Sequence, residues 1–168
     1  RGKNVLFAIL LATMMLPGQV TMIPVFLIMK HLGWYNTLRP LWVPAFLSSA
    51  FFVFMLRQFM RGIPLTLEEA ARIDGCSEFG IFHRIVLPLA APALVITALF
   101  SFMTAWSEYL VAAVLIQDQN LFTLPLGLKS FQSNMEVSWG LYSAGAVIVS
   151  LPVVLIFLTL SRWLISGL

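Results

Sequence analysis

The 168-residue chain is 60% hydrophobic and 10% charged, with a mean hydropathy of +0.95, whereas a soluble domain carries about a quarter charged residues. That composition excludes an ordinary water-soluble fold. The net charge of +3 comes from ten Lys and Arg scattered between apolar runs, with no dense basic block to hold nucleic acid; the single cysteine, Cys76, excludes an internal disulfide framework and any multi-cysteine metal cluster.

The chain opens with Arg1 and runs directly into an apolar stretch that is too long for a signal-peptide core and lacks a small-residue cleavage site. A segment of a longer subunit is therefore expected. Four stretches, about Val5 to Met29, Leu41 to Met60, Ala93 to Ile116 and Leu141 to Ile165, are each long enough to cross a bilayer as a helix. They predict an all-α membrane protein, a polytopic helical bundle with four spans in one domain over 1–168. The short alternating strands of a membrane β-barrel are not visible in Val5 to Leu16 or in Leu151 to Leu160.

In the first span Pro17 removes one helical hydrogen bond, so Pro17-Gly18 predicts a kink or a break, with Gln19 following at once. Two readings stay open: a kinked packing helix, or freed carbonyls and Gln19 lining a polar pathway. With the N-terminus of this segment cytoplasmic, the inner side holds Arg1, Lys3, Arg57, Arg61, Arg72, Arg84 and Arg162, and the outer side Lys30, Arg39 and Lys129. Trp34, Tyr35 and Trp42 flank the first outer loop, Trp139 and Tyr142 the second, and Trp163 the inner end, as interfacial aromatic belts.

The inner loop 61–87 carries the longest charged interval and reads as two short helices. Pro64 stops the preceding span, Thr66 is placed as an N-cap, and Glu69 three residues later would complete a capping box. Gly75 is placed to end that helix in the left-handed conformation, and Ser77 to cap the next. The second helix would set Phe79, Phe82 and Ile85 or Val86 on one apolar face before Pro88.

In the third span Thr97, Ser101, Thr104 and Glu108 recur at helical spacing as one polar stripe, beside a small-residue stripe of Ala98, Ala105 and Ala112. Glu108 is the acidic residue lying well inside an apolar stretch, where an ionisable group costs on the order of 3 kcal/mol to insert. It is either bonded to a neighbouring helix or set on a pathway near Trp106 and Tyr109. The outer loop 117–140, with Pro125, Gly127, Phe131, Gln132 and Asn134, is long for a simple connection and predicts a structured, projecting segment. In the fourth span Ser143, Ala146 and Ser150 share a face suited to close helix contact before Pro152.

Glu69-Ala70-Ala71, three residues, Gly75, nine residues, Ile85, one residue, then Leu87-Pro88 is similar at every defined position to the EAA signature of binding-protein-dependent ATP-binding-cassette permeases. Pro17-Gly18-Gln19, Ile23-Pro24, Leu32-Gly33-Trp34 with Asn36-Thr37, and Arg162-Trp163-Leu164 resemble the carbohydrate-uptake branch related to maltose-type permeases. The resemblance implies a type I permease core in the bacterial inner membrane, a second permease subunit completing the pathway, two cytoplasmic ATP-binding subunits and an extracytoplasmic sugar-binding protein. It implies ATPase docking by Glu69, Ala70, Ala71, Asp74 and Gly75. Gln19, Thr104, Trp106, Glu108 and Tyr109 are then expected on the translocation pathway, and Phe131, Gln132 and Asn134 in the loop that meets the sugar-binding protein.

The chain lacks a G-x-x-x-x-G-K-[ST] phosphate loop, so ATP would be hydrolysed by a partner, and no cofactor or metal is expected here. His31 and His83 lie at opposite sides and form no zinc site or catalytic triad. A permease for another solute, such as glycerol phosphate, an ion channel subunit and an intramembrane enzyme are the alternatives. Only the importer requires a docking loop of this shape, whereas a channel needs a filter or charged pore ring and an enzyme needs convergent catalytic residues.

Overall fold

A computed structural model describes residues 2–47, 49–132 and 139–166, with side chains to residue 160. The first apolar stretch is not one straight span. Helix α1, Lys3–Met14, and helix α2, Gly18–His31, meet at 98°, because Pro17 has no N–H to continue α1 and sits in extended backbone at φ −62, ψ 135. Of the expected kink or break, the chain takes the break. Helix α2 closes through Gly33 at φ +69, where the Gly33 N–H reaches the Lys30 carbonyl and the Trp34 N–H reaches that of Met29. This is the paired bonding of a glycine-terminated helix.

Helix α3, Arg39–Trp42, a 3-10 turn at Pro44–Leu47 and helix α4, Ala50–Arg61, follow. The inner loop comprises α5, Leu65–Ile73, α6, Glu78–Ile81, a π turn at Phe82–Val86, and α7, Leu87–Leu89. Next come α8, Ala91–Trp106, and α9, Leu110–Leu115; a 3-10 turn at Gln119–Leu121 then leads to α10, Leu124–Ser130, and the long α11, Trp139–Ser166. No strand occurs among the described residues. Arg39–Arg61, Ala91–Leu115 and Trp139–Leu160 are long and apolar enough to cross a membrane, and the bent α1–α2 pair qualifies as a fourth, broken span or re-entrant element.

Helices α1, α4, α8 and α11 pack in that order as a row, α2 and α3 lie against α9, and α10 lies against α11. A small core of Ala112, Ile116 and Leu126, with Leu41, Leu121 and Phe122 around it, joins these elements beyond the helix breaks. Asn36, held at φ +55, fastens this end: its N–H donates to the Leu115 carbonyl and its Oδ1 accepts from the N–H groups of Gln117 and Asp118. Elsewhere the row is thin. At most 6% of the most apolar window of any of these three candidate spans is buried within the chain. Those faces therefore require lipid or protein around them.

Two expectations for the third span are corrected. Residues Ser107 to Tyr109 interrupt the helix between α8 and α9, so the polar stripe holds through Thr104 and ends before Glu108. The alanine stripe is divided too: Ala112 is buried, whereas Ala98 and Ala105 are exposed in this chain. Close approach falls instead at Ala90 and Ala93, which are buried at the start of α8, because packing on α4 and α11 selects different positions from the polar periodicity.

Candidate functional site

The inner loop is built by local rules, though one differs from expectation. Pro64, not Thr66, occupies the N-cap of α5, at φ −60, ψ 127 and with no side-chain cap bond. Thr66 is the second helical residue. With Thr66 already inside the helix and not at its N-cap, the Thr66–Glu69 capping box does not form, and the first turn closes by the Leu67 N–H to the Pro64 carbonyl. Glu69 is left exposed.

The C-terminus of α5 agrees with its sequence. Gly75 has φ +82, the Gly75 N–H reaches the Arg72 carbonyl, and the Cys76 N–H reaches that of Ala71. Ser77 Oγ then accepts from the Gly80 N–H and caps α6. Across this turn Arg72 grips Glu78 with two bonds, Nε to Oε1 at 2.6 Å and a second guanidinium nitrogen to Oε2 at 3.0 Å, while Glu68 lies 3.7 Å from the same guanidinium. The hydrogen bonds from Arg72 hold the Glu78 carboxyl below its ordinary range, and those to Glu78 raise Arg72. Helix α5 is therefore held to α6 at a set angle.

Ala71, 6% exposed, and Ile81, 2% exposed, turn toward the rest of the chain. Ala71 is thereby separated from Glu69, Ala70, Asp74 and Gly75, which stay on the surface. Of the apolar face expected on the second helix, Phe79 and Phe82 are exposed, and Ile81 is the inward residue. Helix α6 lasts one turn, and the π turn that follows departs from the 3.6-residue repeat. Ile73 at 86% and Phe79 at 77% exposure are thus large apolar side chains presented outward beside Glu69 and Asp74. Sequence reasoning placed Phe79 on an apolar face but passed over Ile73.

Within the apolar layer, the breaks in α1–α2 and α8–α9 bring Gln19 and Glu108 to one cavity of about 300 Å³, with Gly18, Thr21, Leu110 and Val111 in its wall. Glu108 Oε1 accepts the Val111 N–H at 2.7 Å and so caps the first turn of α9. The other three expected pathway residues do not line this cavity. Thr104 bonds back to the Phe100 carbonyl, and Tyr109 is half-exposed. Trp106 stacks on Phe102 and donates its indole N–H to the Val149 carbonyl of α11 at 2.9 Å. That carbonyl lies next to the one from which Pro152 withholds a helical donor.

The outer loop is structured by its 3-10 turn and α10. Phe131 is exposed, and Gln132 accepts from Lys129 Nζ at 2.6 Å; Asn134 lies outside the described residues.

All 168 residues match the family described as "Binding-protein-dependent transport system inner membrane component", and the chain belongs to that family. It is thus a multi-pass membrane segment of a transport component. Among its relatives, the probable ABC transporter permease protein YurM of Bacillus subtilis is 35% identical over 99% of this chain and 56% of its own length. The arabinooligosaccharides transport system permease protein AraQ of Halalkalibacterium halodurans is 35% identical over 100% of this chain and 60% of its own length. The diacetylchitobiose uptake system permease protein DasC of Streptomyces coelicolor is 33% identical over 100% and 61% respectively. The chain therefore spans roughly three-fifths of the length of these relatives.

Proposed function

We propose that this chain is the core of a permease subunit in an ATP-driven sugar importer. The observation that carries the reading is the inner loop, where the EAA-type residues form a helix that is exposed at Glu69, Ala70, Asp74 and Gly75 and braced by the Arg72–Glu78 clasp. An exposed helix held rigidly between membrane elements can pass a push from a cytoplasmic ATPase to α4 and α8, whereas a loose loop would absorb it. In this reading the N-terminus of the segment and loop 61–87 are cytoplasmic, a second permease covers the thin row of spans, two ATP-binding subunits dock below, and an extracytoplasmic sugar-binding protein meets the segment around Phe131, Gln132 and Asn134. Gln19 and Glu108 face the pathway from their shared cavity, and Thr104 and Trp106 of α8 and Tyr109 of the break that follows adjoin it outside that cavity. The sugar class is supported by the printed names of relatives that move arabinooligosaccharides and diacetylchitobiose.

The test is co-purification of the full-length subunit with its ATPase, together with sugar uptake. Glu69→Gln removes an exposed charge that forms no ion pair among the described residues, so it should weaken ATPase retention and uptake while membrane insertion stays normal. Thr66→Ala, which caps nothing here, should behave like the parent. If Glu69→Gln retains the ATPase and transports normally while Thr66→Ala fails, the docking role of Glu69 is wrong.

A further inference from the structure

At the end of the row that carries α5, three cations from two helices converge. Lys3 of α1 and Arg57 and Arg61 of α4 line one cleft of about 700 Å³ with Asn4 and Phe7. No carboxylate lines it, and among the described residues both ion pairs belong to Arg72. The Arg57 guanidinium lies 3.7 Å from the centre of the Phe7 ring, and Phe7 stacks on Phe54. Arg57 is thus positioned by its own chain without being neutralised, since a ring face orients a cation but leaves its charge. Helix dipoles do not account for the cluster. Arg61 suits the last turn of α4, but Lys3 stands in the first turn of α1, where a cation is disfavoured.

The same three cations also line a second cleft with Val53, Leu56, Met60, Ile63, Leu65 and Glu68. The Glu68 carboxylate there is 3.7 Å from the Arg72 guanidinium. Cations and apolar side chains thus share adjoining clefts, the pairing that a phospholipid phosphate with its acyl chain would need. The α1 side chains Val5, Leu6 and Ile9 are exposed nearby in sequence and extend the apolar surface.

We infer that Lys3, Arg57 and Arg61 form a site for the phosphate of an anionic phospholipid, wedged between α1 and α4 beside the coupling loop. The bound lipid neutralises three like charges, ties the first helix to the second span and supplies a fixed anchor next to the element that α5 moves. The inference rests on the reading of these helices as membrane elements, but its readout requires no transport.

The full-length subunit, purified with its partner subunits, is exchanged into nanodiscs of equal parts phosphatidylcholine and phosphatidylglycerol, extracted, and weighed by native mass spectrometry. Phosphatidylglycerol should be retained over phosphatidylcholine, and Arg57→Gln and Arg61→Gln should each lower that retention about fivefold, the weight of one cation at a membrane surface. Arg57→Lys, which keeps the charge, should retain it. Equal retention of both lipids, or unchanged retention in the Arg57→Gln/Arg61→Gln double variant, overturns the site. Displacement by soluble glycerol phosphate overturns the lipid assignment in favour of a free phosphate. Normal uptake in Glu69→Gln with lipid retention intact counts against the coupling role and not against this site.

Discussion

Glu108 carries two tasks on one side chain, and the geometry separates them. Its Oε1 caps α9 through the Val111 N–H, while its charge faces the cavity shared with Gln19. A glutamine has the same acceptor oxygen, so Glu108→Gln should keep α9 capped and leave thermal stability in detergent unchanged while lowering sugar uptake. Glu108→Ala should cost about 1 kcal/mol as well, the usual weight of a lost cap. If Glu108→Gln loses assembly and uptake in equal measure, the carboxylate is a structural cap and the pathway role fails.

At the scale of the element, α5 works as a unit because its two ends are treated differently. Its start rests on Pro64, which fixes φ without a side-chain bond, and its end is locked by Gly75 and by the Arg72–Glu78 grip. The Glu78 carboxyl is held below its ordinary range chiefly by hydrogen bonds from Arg72. A depressed carboxyl contributes stability that is present above its unfolded pKa and is lost as pH falls through the lower folded value. The turn between α5 and α6 should accordingly keep its amide-exchange protection from neutral pH down to the ordinary carboxylate range, and loosen only in stronger acid. Glu78→Gln should show weaker protection at neutral pH and little further change on acidification. A parent protein whose turn loosens already in mild acid would contradict the clasp.

At the scale of the whole molecule, the row of helices is joined by few polar ties, and Trp106 supplies one. Its indole N–H reaches the Val149 carbonyl across 43 residues of sequence, in a region where an unpaired carbonyl finds little water. Trp106→Phe keeps a ring to stack on Phe102 but removes the donor, and should lower stability by about 1–2 kcal/mol, seen as a lower unfolding midpoint of the detergent-solubilised subunit. An unchanged midpoint would mean that α8 and α11 are held by side-chain packing alone.

The sequence by itself determined what short-range chemistry controls. The apolar run lengths set the number of membrane-crossing stretches, Pro17 interrupted the first, and Gly75 and Ser77 marked the turn between two inner helices, because each of these acts on partners within a few residues. The residues that carry the resemblance to the EAA signature, Glu69 to Gly75, fall on the first of those helices and its end. Local pattern failed where two local signals competed, as at Thr66 beside Pro64, and where a regular repeat was extrapolated through the π turn after Ile81 or the break after Trp106. Tertiary structure alone decided that Asn36 fastens the segment after α9, that Gln19 meets Glu108, and that Lys3 meets Arg57 and Arg61. Those partners lie tens of residues apart, and nothing in the backbone near either one specifies the other. Their meeting is set by the order in which α1, α4, α8 and α11 pack, by the 98° bend between α1 and α2 and by the interruption between α8 and α9.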